Sequence, residues 1–575
     1  MQTSLIARAR LRLVERWPLL IRALAAATLL GIAWFLGPRA LSTLTVLTIG
    51  LGVSLIVFGG WAVLRGTTSW RVIGTGSVLA GMCALAWWSA LVGALPALLA
   101  GAVALAAGAA AVNALASRCP ASALRAGIGA ATACGFLVIA VRWEDIGAVL
   151  TAWCVVAVLV WAAVVLVLPA PRDRSRGLLS SVAVVLLAGA VAAVGIAAAA
   201  LGDDQPRPDE FYDWEQEMPD KPGVLLRVDD FAGATPDGAR SMRMLYTTTD
   251  LDGRPRVASA VVAVPLASSN EPRTVLAWQH GTTGVARECA PSVTGDALTE
   301  VGIPGISQAI SRGWVVVATD YPGQGTTGPY PYLVGGGEGR ATLDAVRALR
   351  QLDGANASDR VMLWGHSQGG HATLWAAQLA DTYAPQLDIV GVAALSAASD
   401  PYALATRLLA KDPNPATSLI ISYVLIPFSE AYADVAMRDY VDPAGGAFAR
   451  AAASRCATSP TTLLTVLASL AVVHDRPLYT LDLEHSAAGR RLQENIADAS
   501  FRAPLLLGQG VEDEVIPIDM QRSLAGEICA TERAVSVHEY PGKSHMGVIA
   551  PGAPLIDDLY EWADRVIAGD RPRSC

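Results

Sequence analysis

Seven long apolar runs in the first 201 residues constrain the fold more than any other feature of this sequence. Each is close to the roughly 20 residues that a helix needs to cross about 30 Å of hydrocarbon. A cleaved signal peptide accounts poorly for the first run, because six more follow it. We therefore predict seven transmembrane helices, or six, since the break at Ala94 and Pro96 is short. The runs are Pro18–Leu36, Ala40–Leu64, Val72–Gly93, Leu95–Ala116, Leu124–Val141, Ile146–Leu168 and Leu178–Leu201.

Arginine residues are distributed unevenly among the connections between these runs. With seven spans and a cytoplasmic N-terminus, eleven arginines fall on the inner side, and only Arg39 and Arg142 on the outer side. Cytoplasmic loops of membrane proteins carry an excess of positive charge. The pattern predicts that the chain after Leu201 lies outside the cytoplasm. Six spans would reverse this orientation, but some loops would then lie on the side that the positive-inside rule disfavours.

The predicted spans are nearly free of buried charge. Arg22 is the exception, and it lies near the inner end of the first run, where its side chain can reach the membrane surface. Transporters and proton relays normally need ionisable groups at mid-membrane. The composition favours an anchor or packing module over a transport function.

Net charge separates the chain into two parts. Residues 1–201 carry +10 and residues 202–575 carry −18. A chain of 575 residues also exceeds what one hydrophobic core supports. We predict a transmembrane domain over 1–201, a polar linker over 202–222 and a soluble domain over 223–575. Nucleic acid is not an expected partner, because phosphate binding needs clustered positive charge.

Short apolar runs alternate with helical patterns in the soluble part. Segments such as Gly339–Leu352 and His371–Tyr383 have helical spacing, and strands that alternate with helices predict a mostly parallel sheet covered on both faces. Residues from about 400 to 495 interrupt the alternation and predict a helical cap inserted over the active edge. The predicted strands are Val257–Pro265, Thr274–Gln279, Trp314–Thr319, Val361–Trp364, Ile389–Leu395, Pro504–Leu507 and Val535–Tyr540.

The segment Val361–Gly370 carries the motif G-x-S-x-G between a predicted strand and a helix. This motif forms a tight turn that exposes a nucleophilic serine, here Ser367. Gly365 and Gly369 leave room for the close approach of strand and helix. The alternative is a simple packing turn, which the strand and helix context disfavours.

A serine nucleophile needs a base and an acid that orients the base. His545 follows the last predicted strand in a loop, which is where a catalytic histidine is expected. The other downstream histidines have different predicted roles: His371 supports the turn, His474 and His485 lie in the cap, and His538 is structural. For the acid, Asp513 is preferred, with Glu512 second, in a turn that also contains Glu514.

The tetrahedral intermediate needs two backbone N–H donors, which form an oxyanion hole. The amide of Gln368 is one predicted donor, since it follows the serine at the start of a helix. The other is predicted in the loop after the strand Thr274–Gln279, with Thr282 preferred over Thr283. His280 is expected to brace this loop, and Asp320 to hold another loop at a strand end.

Four cysteines lie in the soluble part: Cys289, Cys456, Cys529 and Cys575. An even number in a domain outside the cytoplasm predicts two disulfides, and four cysteines allow three pairings. Free buried thiols are the alternative. The spacing matches no zinc motif, so we expect no metal site.

Together these motifs resemble the secretory lipase family of α/β-hydrolases. The resemblance covers most of residues 223–570 and not the membrane part. It implies Ser367 as nucleophile, Asp513 as acid, His545 as base, a cap before the acid, and disulfides Cys289–Cys456 and Cys529–Cys575. The similar stretches are Gln279–Gly284, Cys289–Ser292, Ala318–Gly323, Pro331–Gly335, Glu338–Arg340, Gly365–His371, Gly510–Pro517 and Ser544–His545.

The expected fold is an α/β-hydrolase domain with a helical cap, preceded by an all-α transmembrane bundle. The expected function is that of a membrane-anchored lipase or esterase outside the cytoplasm, which hydrolyses carboxylic esters, with lipid esters as the expected substrates, through an acyl-enzyme without a cofactor. An acyltransferase that uses the same acyl-enzyme is one alternative. A catalytically silent membrane sensor or scaffold is the other. Acyl-chain length is left open.

Overall fold

The structure is a computed structural model that describes residues 21–36, 39–116, 120–167, 173–202, 206–410, 415–472, 475–531 and 533–575. Within these ranges, seven α-helices precede a mixed sheet. The first residues of the first predicted span lie outside the described residues. Leu168, the last residue of the sixth predicted span, also lies outside them. The seven helices are α1 (Ile21–Leu36), α2 (Ala40–Arg65), α3 (Thr68–Ala86), α4 (Trp88–Ala116), α5 (Pro120–Arg142), α6 (Glu144–Val167) and α7 (Asp173–Gly202).

The boundary between the third and fourth helices was predicted wrongly. It lies at Trp87, whose backbone leaves the helical region, and not at Ala94. Pro96 lies inside α4, where it removes one N–H donor without ending the helix. Long apolar helices tolerate such a proline because the remaining hydrogen bonds continue on both sides.

Four helices in the described part of the chain are long and apolar enough to cross a membrane. They are α2, most of α4, most of α5 and most of α6.

The backbones of α2 and α3 approach each other closely. A side chain added at Gly59 of α2 would meet the backbone of Gly74 in α3, and one at Gly52 would approach Gly81. Small residues allow this backbone approach between apolar helices, where dispersion contacts hold the pair together.

The soluble part is built on a nine-stranded sheet with the order β1-β2-β3-β5-β4-β6-β7-β8-β9. The pairs β1-β2, β2-β3 and β3-β5 are antiparallel, and the other five neighbouring pairs are parallel. This confirms the predicted, mostly parallel sheet. The strands are β1 (Leu225–Asp230), β2 (Ala239–Thr249), β3 (Pro255–Pro265), β4 (Arg273–Gln279), β5 (Val315–Pro322), β6 (Ala357–His366), β7 (Asp388–Leu395), β8 (Leu505–Gly510) and β9 (Val535–Tyr540).

Helices cover both faces of this sheet and bury its apolar side chains in two cores. The core on one face lies under α10 (Gly335–Leu349), α11 (Gln368–Tyr383) and α17 (Ile518–Cys529). The core on the other face lies under α9 (Ile306–Ser311) and α18 (Pro554–Ile567). A short helix, α8 (Pro291–Thr294), lies in the long connection from β4 to β5.

Between β7 and β8 the chain leaves the sheet and forms a helical cap. Buried aromatic side chains such as Tyr423, Phe428 and Phe448 form much of its interior. The cap helices are α12 (Pro401–Leu409), α13 (Pro415–Ala431), α14 (Gly446–Ala453), α15 (Thr462–Leu470) and α16 (Ala487–Glu494).

The cap also contacts the ends of some N-terminal helices. The Ala40 amide at the start of α2 donates to the Ala471 carbonyl at 3.1 Å. The carboxylate of Asp475 accepts from the amide of Ser42 at 3.0 Å and from its hydroxyl at 2.5 Å. In α6, Asp145 pairs with Arg455 of the cap. The N-terminal helices therefore share an interface with the soluble domain.

Two disulfides connect distant parts of the soluble domain. Cys289 after β4 pairs with Cys456 in the cap, and Cys529 at the end of α17 pairs with the C-terminal Cys575. Cys83, Cys134 and Cys154 in the N-terminal helices are free thiols. Cys119 lies outside the described residues.

Removal of the Cys529–Cys575 disulfide by a double change to serine should lower the free energy of unfolding by roughly 2–4 kcal/mol. The bond closes a loop of 46 residues and restricts the unfolded chain. Denaturant unfolding of the detergent-purified protein, followed by near-ultraviolet circular dichroism, measures the change. Cys83→Ser, at a free and exposed thiol, should leave the transition in place. Equal stability of the double variant and the wild type would contradict this expectation.

Candidate active site

Strand pairing brings the predicted site residues to one edge of the sheet. Gln279 at the end of β4 is the register partner of Gly365 near the end of β6, so the loop after β4 lies beside the turn that contains Ser367. At the other side, Gly510 of β8 pairs with Tyr540 of β9. The carboxyl ends of parallel strands share one edge, which is where ligands bind in such sheets.

Ser367 occupies the turn between β6 and α11 in a strained conformation. Its φ is 59° and its ψ is −119°, a region that residues with a side chain rarely adopt. The turn is also crowded, since a side chain on Gly369 would collide with the main chain of Gln279 and His280. The Ser367 amide donates to the Leu395 carbonyl of β7 at 2.9 Å, which fixes the turn to the neighbouring strand.

His545 and Asp513 are in direct contact. The imidazole Nδ1 lies 2.8 Å from Asp513 Oδ2 and 3.0 Å from Oδ1. Asp513 also accepts from the amides of Val515 and Ile516 and from the Gln509 side chain. Burial raises the pKa of this carboxyl, but the hydrogen bond and charge of His545 and the Ile516 amide outweigh it, so the pKa lies below its usual value. An ionised carboxylate is what orients a catalytic imidazole.

The neighbouring acids have other partners. Glu512 accepts from the Gly542 amide at 2.5 Å, and Glu514 accepts from the His545 amide at 3.1 Å. Among the three acids of this turn, only the Asp513 side chain contacts the imidazole within the described part of the chain. Glu514 therefore positions the loop that carries His545.

Other histidines downstream of the serine lie away from this contact. His371 lies in α11 and is fully buried. His485 is exposed and contacts Asp482, and His538 in β9 lies 3.7 Å from Asp558. His474 lies outside the described residues.

His366, next to the serine, was not singled out by sequence reasoning. Its Nε2 lies 3.0 Å from the His545 carbonyl oxygen, and the two rings lie 4.5 Å apart. Burial, followed by the neighbouring His545, lowers the pKa of His366 to about 3. A neutral ring whose Nε2 carries the proton donates to that carbonyl, so His366 holds the His545 backbone without adding charge.

Both predicted oxyanion donors line one cavity with the serine. Within the described part of the chain, neither the Thr282 amide nor the Gln368 amide donates to another protein group. The Thr282 hydroxyl lies 2.8 Å from the Tyr332 hydroxyl, which holds the loop. The Thr283 carbonyl, in contrast, accepts a hydrogen bond from the Ala457 amide of the cap at 2.8 Å.

A buried polar network under the serine turn was only partly foreseen. Gln368 Nε2 donates to the Tyr330 hydroxyl at 2.6 Å and to Glu338 Oε1 at 2.8 Å. His371 contacts Glu338 Oε2 through Nδ1 and the Asn495 carbonyl through Nε2. The network anchors the start of α11 to α10 and to the end of the cap. Sequence reasoning assigned support to His371, but gave no partner.

The cavity above Ser367 has a volume of about 610 Å³. Thr282, Ser367, Gln368 and His545 are among the polar residues that line it, and the cap contributes a large part of the lining. The cap side chains that line it are mainly apolar and include Leu404, Ile421, Leu425, Phe428 and Leu492. An apolar cavity with a few convergent polar groups fits a substrate with a hydrophobic portion and one reactive polar group.

Residues 292–565 match the family model described as secretory lipase. This match confirms the predicted resemblance to that family over these residues. The chain is 27% identical over 334 residues to Lipase A of Moesziomyces aphidis, with 54% of this chain and 69% of that relative covered. It is 32% identical over 184 residues to a probable inactive lipase of Mycobacterium tuberculosis, but covers only 40% of that protein.

The part of the chain that contains the sheet also resembles a solved structure. It superimposes on Candida antarctica lipase A in its closed state with a TM-score of 0.52 and 24% identity, over 64% of this chain and 88% of that one. At this identity the likeness establishes the fold alone, and it confirms the predicted α/β-hydrolase fold.

Asp320 holds the loops beneath the site. It is fully buried in β5, accepts from the Ser259 hydroxyl at 2.6 Å and accepts from the Ser292 amide at 2.9 Å. Burial raises the pKa of Asp320 to about 6, and the hydrogen bonds from Ser259 and Ser292 offset part of this effect. Burial also lowers the pKa of His280 in the neighbouring loop to about 4. His280 is therefore neutral near pH 7.

Asp320→Asn should remove a pH dependence of stability. Because the folded-state pKa is raised, the folded protein binds more protons than the unfolded chain between about pH 4 and 6. Wild-type stability should therefore fall as pH rises through this window, by up to about 3 kcal/mol. Unfolding curves from pH 4 to 7 measure the difference between variant and wild type, with the exposed Asp359→Asn as control. A difference that does not change with pH would refute the expectation.

Proposed function

We propose that this protein is a serine lipase or esterase, which hydrolyses carboxylic esters through an acyl-enzyme. The observation that carries the proposal is the buried His545–Asp513 contact beside the strained Ser367 turn in one apolar cavity. Lipase and esterase relatives support the class of reaction. A relative described as a probable inactive lipase makes a direct test of turnover necessary.

The proposed mechanism assigns one task to each group. Ser367 Oγ attacks the ester carbonyl carbon while His545 accepts its proton, and Asp513 stabilises the imidazolium that forms. The amides of Thr282 and Gln368 bind the oxyanion, each contributing roughly 2.7–4 kcal/mol to transition-state stabilisation. The alcohol leaves with a proton from His545. Water then attacks the acyl-enzyme by the same route and releases the acid.

The proposed substrate is an ester with an apolar acyl chain. The cap supplies an apolar wall to the cavity, so acyl chains of several carbons bury surface there, at about 25 cal/mol per Å² of apolar area. The nature of the alcohol is not constrained by the cavity lining. Hydrolysis rates for a series of model esters with increasing acyl length would define the preference.

We further propose that the N-terminal helices anchor the enzyme in a membrane with the hydrolase domain outside the cytoplasm. Four helices of suitable length and hydropathy support membrane association. The arginine distribution and the two disulfides support the outer location, because disulfides persist in oxidising compartments.

Ser367→Ala should lower kcat for a soluble p-nitrophenyl ester by at least about 10³-fold, because the proposed acyl-enzyme forms on the Ser367 hydroxyl. The variant should also lose labelling by a fluorophosphonate probe. Ser429→Ala is the control, because the Ser429 hydroxyl donates to a carbonyl of its own helix and has no other hydrogen bond among the described residues. Undiminished turnover by a folded Ser367→Ala protein would eliminate the proposed mechanism.

An orientation test uses single cysteines in a background whose four N-terminal cysteines are serine. Asn270→Cys, exposed in the hydrolase domain, should react with a membrane-impermeant maleimide in intact cells. Thr67→Cys, exposed between α2 and α3, should react only after permeabilisation. The opposite labelling pattern would reverse the proposed orientation.

A further inference from the structure

A buried ion pair joins the first turn of α6 to the cap. Arg455 donates through Nη1 to Asp145 Oδ2 at 2.7 Å and through Nη2 to Oδ1 at 2.8 Å. The two side chains are only 6% and 2% exposed. Arg455 Nη1 also donates to the Thr465 hydroxyl of α15 at 3.0 Å. A carboxylate in the first turn of a helix additionally interacts well with the helix dipole.

The residues that follow Arg455 hold the loop of the proposed oxyanion donor. Cys456 is disulfide-bonded to Cys289, and the Ala457 amide donates to the Thr283 carbonyl at 2.8 Å. The loop packs tightly on this disulfide, because a side chain at Gly284 would collide with Cys289. Thr283 adjoins Thr282, so a shift of this cap segment would displace the Thr282 amide.

A second route connects Arg455 to the same threonine. The Tyr423 hydroxyl donates to the Arg455 carbonyl at 2.7 Å. The Tyr423 ring lies 6.3 Å from that of Tyr332, and the Tyr332 hydroxyl contacts the Thr282 hydroxyl at 2.8 Å. The backbone and the side chain of the oxyanion loop are therefore both connected to Arg455.

We propose that Asp145 is a positioning residue for catalysis: through Arg455, the candidate membrane span α6 sets the position of the Thr282 amide. The inference rests on the proposed function, and it gives the N-terminal helices a part in the reaction beyond anchoring. Oxyanion donors must lie 2.7–3.1 Å from the developing charge, so a small displacement lowers the rate of the chemical step. Substrate binding in the apolar cavity would change little.

A second ion pair at the same junction offers a matched control. Arg450 of α14 contacts Glu144 of α6 at 2.6 Å, and these side chains are 57% and 43% exposed. The pair connects α6 to the cap as the buried pair does, but it is exposed to solvent and has no described link to the oxyanion loop. Exposed pairs of this kind contribute little to structure.

The test compares Asp145→Asn and Arg455→Lys with Glu144→Gln and Arg450→Lys in the full-length protein in detergent. A short soluble p-nitrophenyl ester reports kcat and KM, and a fluorophosphonate probe counts active sites. In the first two variants, kcat per titrated site should fall at least about tenfold with KM within about twofold of wild type. The inhibition constant of a trifluoromethyl ketone, which forms an oxyanion on the serine, should rise in parallel. The two control variants should match the wild type.

A purely structural role of the pair gives a different result. Fewer sites would then titrate, but kcat per site and ketone affinity would stay within about twofold of wild type, and this outcome overturns the inference. Arg455→Lys retains the buried charge and decides the question if Asp145→Asn does not fold. Failure of the proposed function is distinguishable, because the wild type itself would then neither titrate nor hydrolyse the ester.

Discussion

The hydrogen-bonded register of the parallel strands is the constraint on which the candidate site depends. Because β4 and β6 pair with Gln279 opposite Gly365, the loop that contains Thr282 lies against the serine turn. The pairing of β8 with β9 then brings Asp513 and His545 together from positions 32 residues apart. A shift of one residue would turn alternate side chains to the other face. Two buried cores hold the register, so the sheet positions groups that no local interaction could assemble.

Much of the fold followed from the pattern of apolar residues. The seven predicted strands are all present because each is a nearly continuous apolar run buried between helices. The strands β1 and β2 were missed, since β1 ends in exposed acids and β2 ends in three threonines, and neither pattern resembles a buried strand. The helix boundary at Trp87 was missed because proline is a weaker signal in an apolar helix than in a soluble one.

For the candidate site, residue type and chain order were sufficient to nominate the serine, the acid and the base. Sequence reasoning could not find the partners of those groups. Glu338 lies 33 residues from His371, and His366 contacts a carbonyl 179 residues away. The same holds for Asp145 and Arg455, which are 310 residues apart in the chain. Such pairs are set by tertiary packing, and no local spacing encodes them.

The contacts between the cap and the start of α2 have a consequence for how the chain is made. The carboxylate that accepts from the Ser42 amide, and the carbonyl that accepts from the Ala40 amide, belong to residues 475 and 471. A ribosome produces these groups more than 400 residues after the helix whose first turn they complete. Until then, the N-terminal N–H donors of α2 lack these partners, and other acceptors such as water must satisfy them. These contacts of α2 can form only after residue 475 has been translated, so the start of this helix and the cap reach their final form together.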